Sequence, residues 1–199
     1  MLIDHVGLIF FPDVLIFRII GRLAMPIYIF LATLAIDYTS NFKRYCNRLL
    51  TIACLAQLPY MWAFQTTQLN IVFNIFLGAI VIHYVKKGLG SFKNFIITSG
   101  LSFFTVVLSY LYIEYSFYCL FLMLGFYLLK IPYLMITFHF ILNLIFFIHF
   151  GWLLQVFSLA ATVVILMRKK LPKVVINKSI YRLFYPVHLL VLGIVSIMF

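Results

Sequence analysis

Long apolar runs without alternation constrain this chain more than any other feature. Leu15 to Ile36, Phe92 to Ile113 and Tyr133 to Phe150 are each about twenty mostly apolar residues, the length a helix needs to cross ~30 Å of hydrocarbon. In lipid only helices and closed barrels satisfy their own backbone groups, and a barrel would read as ~10-residue segments of alternating hydrophobicity. The composition agrees. Of 199 residues, 66% are hydrophobic and 10% charged, against roughly 45–50% and 25% in ordinary soluble domains. The expectation is an all-α, polytopic integral membrane helix bundle, a single transmembrane domain over 1–199 with about eight to nine spans.

In order, the spans are expected near residues 1–11 (short of a full crossing), 15–36, 44–64, 69–85, 92–113, 115–129, 133–150, 152–167 and 180–199. Basic residues follow every second span: Lys43, Arg44 and Arg48; Lys86 and Lys87; Lys130; and Arg168 to Lys173. The other connections hold Asp13, the Gln65–Gln68 loop, Glu114 and Gly151, with no Lys or Arg between spans. Short loops rich in Lys and Arg stay in the cytoplasm, so the N-terminus is expected there too. The same loops account for the net charge of +11, and nucleic-acid binding is not expected. Cys46, Cys54 and Cys119 lack metal-ligand spacing and read as packing residues. No removable signal peptide is expected at the start.

Against this apolar background the first hairpin stands out. Ile3-Asp4-His5-Val6-Gly7 leads through Phe11-Pro12 to Arg18-Ile19-Ile20-Gly21-Arg22. Ionisable groups at membrane depth cost a few kcal/mol or more each, so they face a protein interior and mark candidate sites. Arg18 and Arg22 share one helix face, and a turn near Pro12 to Leu15 would place His5 level with Arg22, with Asp4 nearby. Two guanidinium groups facing one carboxylate leave a surplus positive charge. That suits a phosphate, a carboxylate or a developing oxyanion, and a histidine beside it has the pKa range of a general base. Adjacent helical residues point about 100° apart, so direct contact between Asp4 and His5 is not expected.

The other histidines have plainer readings. His83 belongs at an interface beside Lys86 and Lys87, and His149 at a span boundary. His139 and Asn143, four residues apart, suit an interhelical hydrogen bond. His188 differs because Pro186 precedes it. A proline-broken helix beside a histidine is the pattern of a cavity-lining segment.

These stretches also resemble a known family. Asp4-His5, the run Arg18-Ile19-Ile20-Gly21-Arg22-Leu23-Ala24-Met25-Pro26, Tyr45-Cys46-Asn47-Arg48-Leu49-Leu50 continuing to Gln57-Leu58-Pro59-Tyr60, Leu69-Asn70-Ile71-Val72-Phe73 and Phe184-Tyr185-Pro186-Val187-His188-Leu189 occur in the order seen in the TraX family of membrane proteins. That family is named for the acetylase of conjugative F-type pilin, and it is distantly similar to larger membrane acyltransferases. The resemblance implies acetyl transfer from acetyl-CoA to the N-terminus of a pilin or similar envelope acceptor, in the bacterial inner membrane and without a metal. By position, His5 would be the base and Arg18 and Arg22 would hold CoA phosphates or the acyl oxyanion. Asp4 and His188 would complete the site, and Lys43, Arg44 and Arg48 would attract the CoA polyphosphate. An O-acetyltransferase for a glycan or lipid is an alternative, as is a non-enzymatic small transporter or assembly protein that binds an anion.

Overall fold

The computed structural model describes residues 1–88, 91–113, 115, 117–170 and 178–198. Among these the regular structure is helical, with short turns between helices and one isolated bridge between Leu69 and Ile113. Ten α-helices follow in order: α1 (Leu2–Phe10), α2 (Leu15–Gly21), α3 (Ala24–Tyr38), α4 (Phe42–Phe64), α5 (Ile71–Lys86), α6 (Phe92–Tyr112), α7 (Tyr118–Leu128), α8 (Pro132–Phe150), α9 (Leu159–Leu166) and α10 (Lys178–Met198). A 3₁₀ turn at Leu153–Ser158 leads into α9. Glu114 and Lys173 lie outside the described residues.

Local sequence explains most boundaries. Asn41 caps α4 by accepting from the Arg44 backbone N–H at 2.8 Å. Asn70 caps α5 from Val72 N–H at 3.0 Å, while its amide donates to Ala53 O at 2.9 Å, pinning α5 to α4. Pro132 opens α8 and Gly151, at φ 69°, closes it, the usual asymmetry of helix ends. Pro26 has no N–H to offer the Arg22 carbonyl. The single helix expected from Leu15 to Ile36 is accordingly interrupted at Arg22–Leu23, where Leu23 N–H turns back to Ile20 O at 3.2 Å. Pro186 behaves differently from expectation, since α10 runs through it without a break.

Among the described residues, three helical stretches are long and apolar enough to cross a membrane: Leu15–Tyr38, Phe92–Tyr112 and Pro132–Phe150. α4 has 23 residues, but Lys43, Arg44 and Arg48 dilute its first turns. The segments at Ile71–Lys86, Tyr118–Leu128, Leu153–Leu166 and Arg182–Ser196 are apolar but shorter. α7, only 11 residues long, is packed against α3, α5 and α8, with Tyr118, Cys119, Leu122 and Met123 fully buried. It lies inside the bundle, so its length need not match the bilayer. α6 is the opposite case. It leans on α5 and exposes Phe92, Phe103, Phe104 and Tyr110, a surface that water does not sustain on a monomer and lipid does.

The opening hairpin is held by two glycines. A Cβ on Gly7 would lie 2.3 Å from the Phe17 Cβ, and one on Gly21 would lie 2.1 Å from the Asp4 Cβ. Backbone of α1 and α2 therefore approach closely, and Asp4 is set directly against α2. The C-terminal helix closes the fold by packing along α4 and meeting α1.

Candidate functional site

α1 is short, and its two adjacent polar residues are both buried, Asp4 at 5% and His5 at 8% exposure. Neighbouring helical positions diverge, and each residue serves a different partner. The Asp4 carboxylate accepts from Arg22 Nη2 at 3.1 Å on both oxygens and forms an ion pair with Arg18 Nη1 at 3.1 Å. One carboxylate thus binds two guanidinium groups one helical turn apart. Arg22 also donates through Nη1 to Gln155 Oε1 at 3.3 Å and lies over the Tyr115 ring at 5.6 Å. These contacts fix its plane from three sides.

His5 faces the other way. Its Nδ1 lies 3.0 Å from Nε2 of His188, and the rings stack with centroids 5.1 Å apart and 14° between planes. Phe64 meets His5 edge-on at 4.9 Å. His188 Nδ1 in turn is 2.6 Å from Phe184 O, one turn back on α10. The two ends of the described chain meet at this histidine pair.

Two cavities flank Asp4 and His5, and both residues line each of them. The first, about 540 Å³, is lined by Arg18, Arg22, Gln155 and Trp152 and extends to Gln68 and the Phe150–Leu154 turn. The second, about 840 Å³, runs between apolar walls that include Met25 and Ile52 and extends to Thr39, Ser40, Arg48 and Arg182.

The structure brings Asp4, His5, Arg18, Arg22 and His188 together. Arg48 lines the second cavity, with its guanidinium 5.8 Å from the Tyr45 ring centroid. Lys43 and Arg44 are exposed on the first turn of α4 and line neither cavity. Arg44 stands one turn before Arg48 on the same helix face, yet of the three only Arg48 lines a cavity. Asp4 binds the guanidinium groups, and His5 has a separate partner.

Other polar residues sort into structural roles. His139 and Asn143 are fully buried and join Tyr118, whose hydroxyl donates to Asn143 Oδ1 at 2.8 Å and lies 2.8 Å from His139 Nε2. Thr162 closes the network at 2.6 Å from His139 Nδ1. His83 stacks on Phe42 at 3.8 Å near the end of α5, and His149 is exposed. Sequence reasoning missed Gln155. It is 2% exposed, and its Nε2 has no hydrogen-bond partner among the described residues. The available signal was an amide in an otherwise apolar run between Trp152 and Met167.

Fold and site together define a polytopic helical membrane protein with an ionisable cluster held between two cavities. The chain belongs to the TraX protein family, whose model matches residues 1–196. It is also similar to an uncharacterized protein of Rickettsia prowazekii (strain Madrid E), 34% identical over 93 residues. That match covers 46% of this chain and 36% of the relative, so the chain spans well under two thirds of the relative's length. No solved structure matches it.

Proposed function

We propose that this protein is a membrane-embedded acetyltransferase that moves an acetyl group from acetyl-CoA to an envelope acceptor. The N-terminus of a pilin is the acceptor that the family resemblance favours. The observation carrying this reading is that Asp4 and His5 line two cavities whose linings reach opposite ends of α4, Gln68 past its C-terminus in the first and Thr39 and Ser40 before its N-terminus in the second. A soluble donor and an acceptor on the far side then meet at one histidine without either crossing the membrane.

The chemistry follows from the partners of each side chain. His5 takes a proton from the acceptor amine as nitrogen attacks the acetyl carbonyl, forming the N–C bond. Arg22, held flat by Asp4, Gln155 and Tyr115, donates to the oxyanion, a kind of contact worth about 10²–10³ in rate. Collapse breaks the C–S bond, and the proton held by His5 passes to the departing thiolate. Arg18 adds positive charge beside the oxyanion, and Arg48 with Arg182 offers two guanidinium groups to the donor's phosphates. The aromatic and cationic first cavity, with Tyr110, Tyr115 and Trp152 near two arginines, favours a second reading. A hydroxyl on a glycan or lipid would avoid the repulsion that a protonated amine meets there, with the same base and the same oxyanion contact.

The test is acetyl transfer from radiolabelled acetyl-CoA by the purified protein in proteoliposomes, offered an amine-terminated pilin peptide or a hydroxyl acceptor. Transfer that falls by about 10² or more in His5→Ala and Arg22→Ala supports the assignment. Full activity in either variant overturns it.

A further inference from the structure

We infer that His188 is a positioning residue that fixes the tautomer of His5, leaving His5 Nε2 as the nitrogen that accepts a proton. Three contacts carry this. A backbone carbonyl only accepts, so the 2.6 Å contact between His188 Nδ1 and Phe184 O requires a proton on His188 Nδ1. With both rings neutral, His188 Nε2 then has a lone pair and no proton. The 3.0 Å contact between that atom and His5 Nδ1 is a hydrogen bond only if His5 Nδ1 donates. One carbonyl on α10 therefore determines, through two rings, where His5 keeps its proton, because each ring's tautomer is set by the bond its other nitrogen makes.

The outcome matters because His5 lines both cavities while its Nδ1 is occupied. Nε2 is the nitrogen left to meet an acceptor. When it takes a proton, His5 becomes an imidazolium with N–H on both sides, and the Nδ1–H bond to His188 becomes charge-assisted and stronger. The near-parallel stack of the rings, 14° between planes, and the edge of Phe64 limit ring rotation that would exchange the two nitrogens. The Asp4 carboxylate, which orients the base in a serine-type triad, is engaged here by Arg18 and Arg22. His188 fills the orienting role from another helix. The inference deepens the acetyltransferase reading and rests on it only for the reaction that Nε2 performs.

The tautomer can be read without activity. The full chain is labelled with ¹⁵N-histidine in detergent micelles, and the His5 signals are assigned by their loss in His5→Gln. The expected spectrum shows His5 protonated on Nδ1 and bare on Nε2. His188→Phe keeps an aromatic ring and removes the acceptor, so the His5 proton redistributes toward Nε2. His188→Gln restores an acceptor oxygen near the Nε2 position and restores the wild-type pattern. A wild-type His5 protonated on Nε2, or an unchanged His5 signal in a folded His188→Phe protein, overturns the inference; the wild-type spectrum decides it alone if that variant does not fold. In the transfer assay His188→Phe is expected to lower kcat at least about tenfold and to shift its pH profile with KM nearly unchanged, and His188→Gln to recover most of it. Misplacing a catalytic base forfeits part of the 10²–10⁴ such a group contributes. Wild-type protein that shows the Nδ1–H tautomer and transfers no acetyl group would refute the proposed reaction and leave the positioning role standing.

Discussion

Gly21→Ala adds one methyl group at the point where the hairpin is tightest. The new Cβ would sit 2.1 Å from Asp4 Cβ and 2.6 Å from both its Cγ and Oδ1. Carbon atoms pack at about 3.5–4.0 Å, so Asp4 must retreat by roughly 1.5 Å or α1 must move with it. The three contacts from Arg22 and Arg18 are each 3.1 Å, and a shift of that size carries them beyond hydrogen-bonding range. Breaking a buried ion pair costs about 3–5 kcal/mol, and a 1 Å displacement of a positioned group costs about 10² in rate. Gly100 provides the control, because a Cβ there meets nothing within 4 Å. Both variants are compared by thermal unfolding in detergent and by acetyl transfer. Gly21→Ala should lose several degrees or more in Tm and at least about 10² in transfer, and Gly100→Ala should lose neither. A Gly21→Ala protein as stable and active as Gly100→Ala would refute the claim that close backbone approach builds the site.

Further outcomes follow from the same contacts. Arg22→Lys should be nearly as inactive as Arg22→Ala, because an ammonium cannot reproduce a planar fork that serves Asp4 and Gln155 at once; Arg18→Ala, which gives up an ion pair to one Asp4 oxygen, should lose less, and transfer rates of the three variants check the order. Tyr118→Phe leaves buried acceptor and donor groups on Asn143 and His139 without the hydroxyl that joins them, which should lower stability by about 1–3 kcal/mol in detergent unfolding. Arg48→Gln and Arg182→Gln should each raise KM for acetyl-CoA about tenfold, a loss of ~1.4 kcal/mol. Lys43→Gln and Arg44→Gln should leave it unchanged because those side chains lie outside the cavity. Steady-state kinetics at fixed ionic strength separates the two pairs.

How much of this was legible in the sequence depends on what kind of signal each feature leaves. Charge in an apolar chain is conspicuous, so Asp4, His5, Arg18 and Arg22 are visible as a group, and their four-residue arginine spacing places both guanidinium groups on one face. His188 is visible through its neighbour Pro186, although the proline does not break α10. Three things leave no such mark. A glycine that admits a carboxylate looks like any glycine, and Gly21 resembles Gly100 until a second helix is placed against it. Gln155 is uncharged and one residue in an apolar run. Lys43 and Arg44 are close to Arg48 in sequence, but which residues of α4 face the cavity depends on how α10 packs along it, which no local pattern records. Span length has the same limit. α7 is short because protein surrounds it, and a hydropathy profile cannot separate a helix buried in protein from one that is merely too short for lipid.

The place of the cluster at the wall of a cavity argues against a purely structural role. Replacing a buried ion pair with well-packed apolar side chains is often neutral or stabilising, so a hairpin selected only for stability has no use for two guanidinium groups at this depth. Here the Asp4 carboxylate pairs with both arginines at the wall of a cavity of about 540 Å³. Guanidinium groups at this depth are least costly when further negative charge arrives next to them. A reaction that builds an oxyanion within reach of Arg22 supplies that negative charge in the transition state and removes it afterwards, which is the condition for an interaction that accelerates chemistry and does not merely tighten binding. A static anion-binding or transport role would satisfy the charge as well, but it would leave the paired histidines at the junction of two cavities without a use.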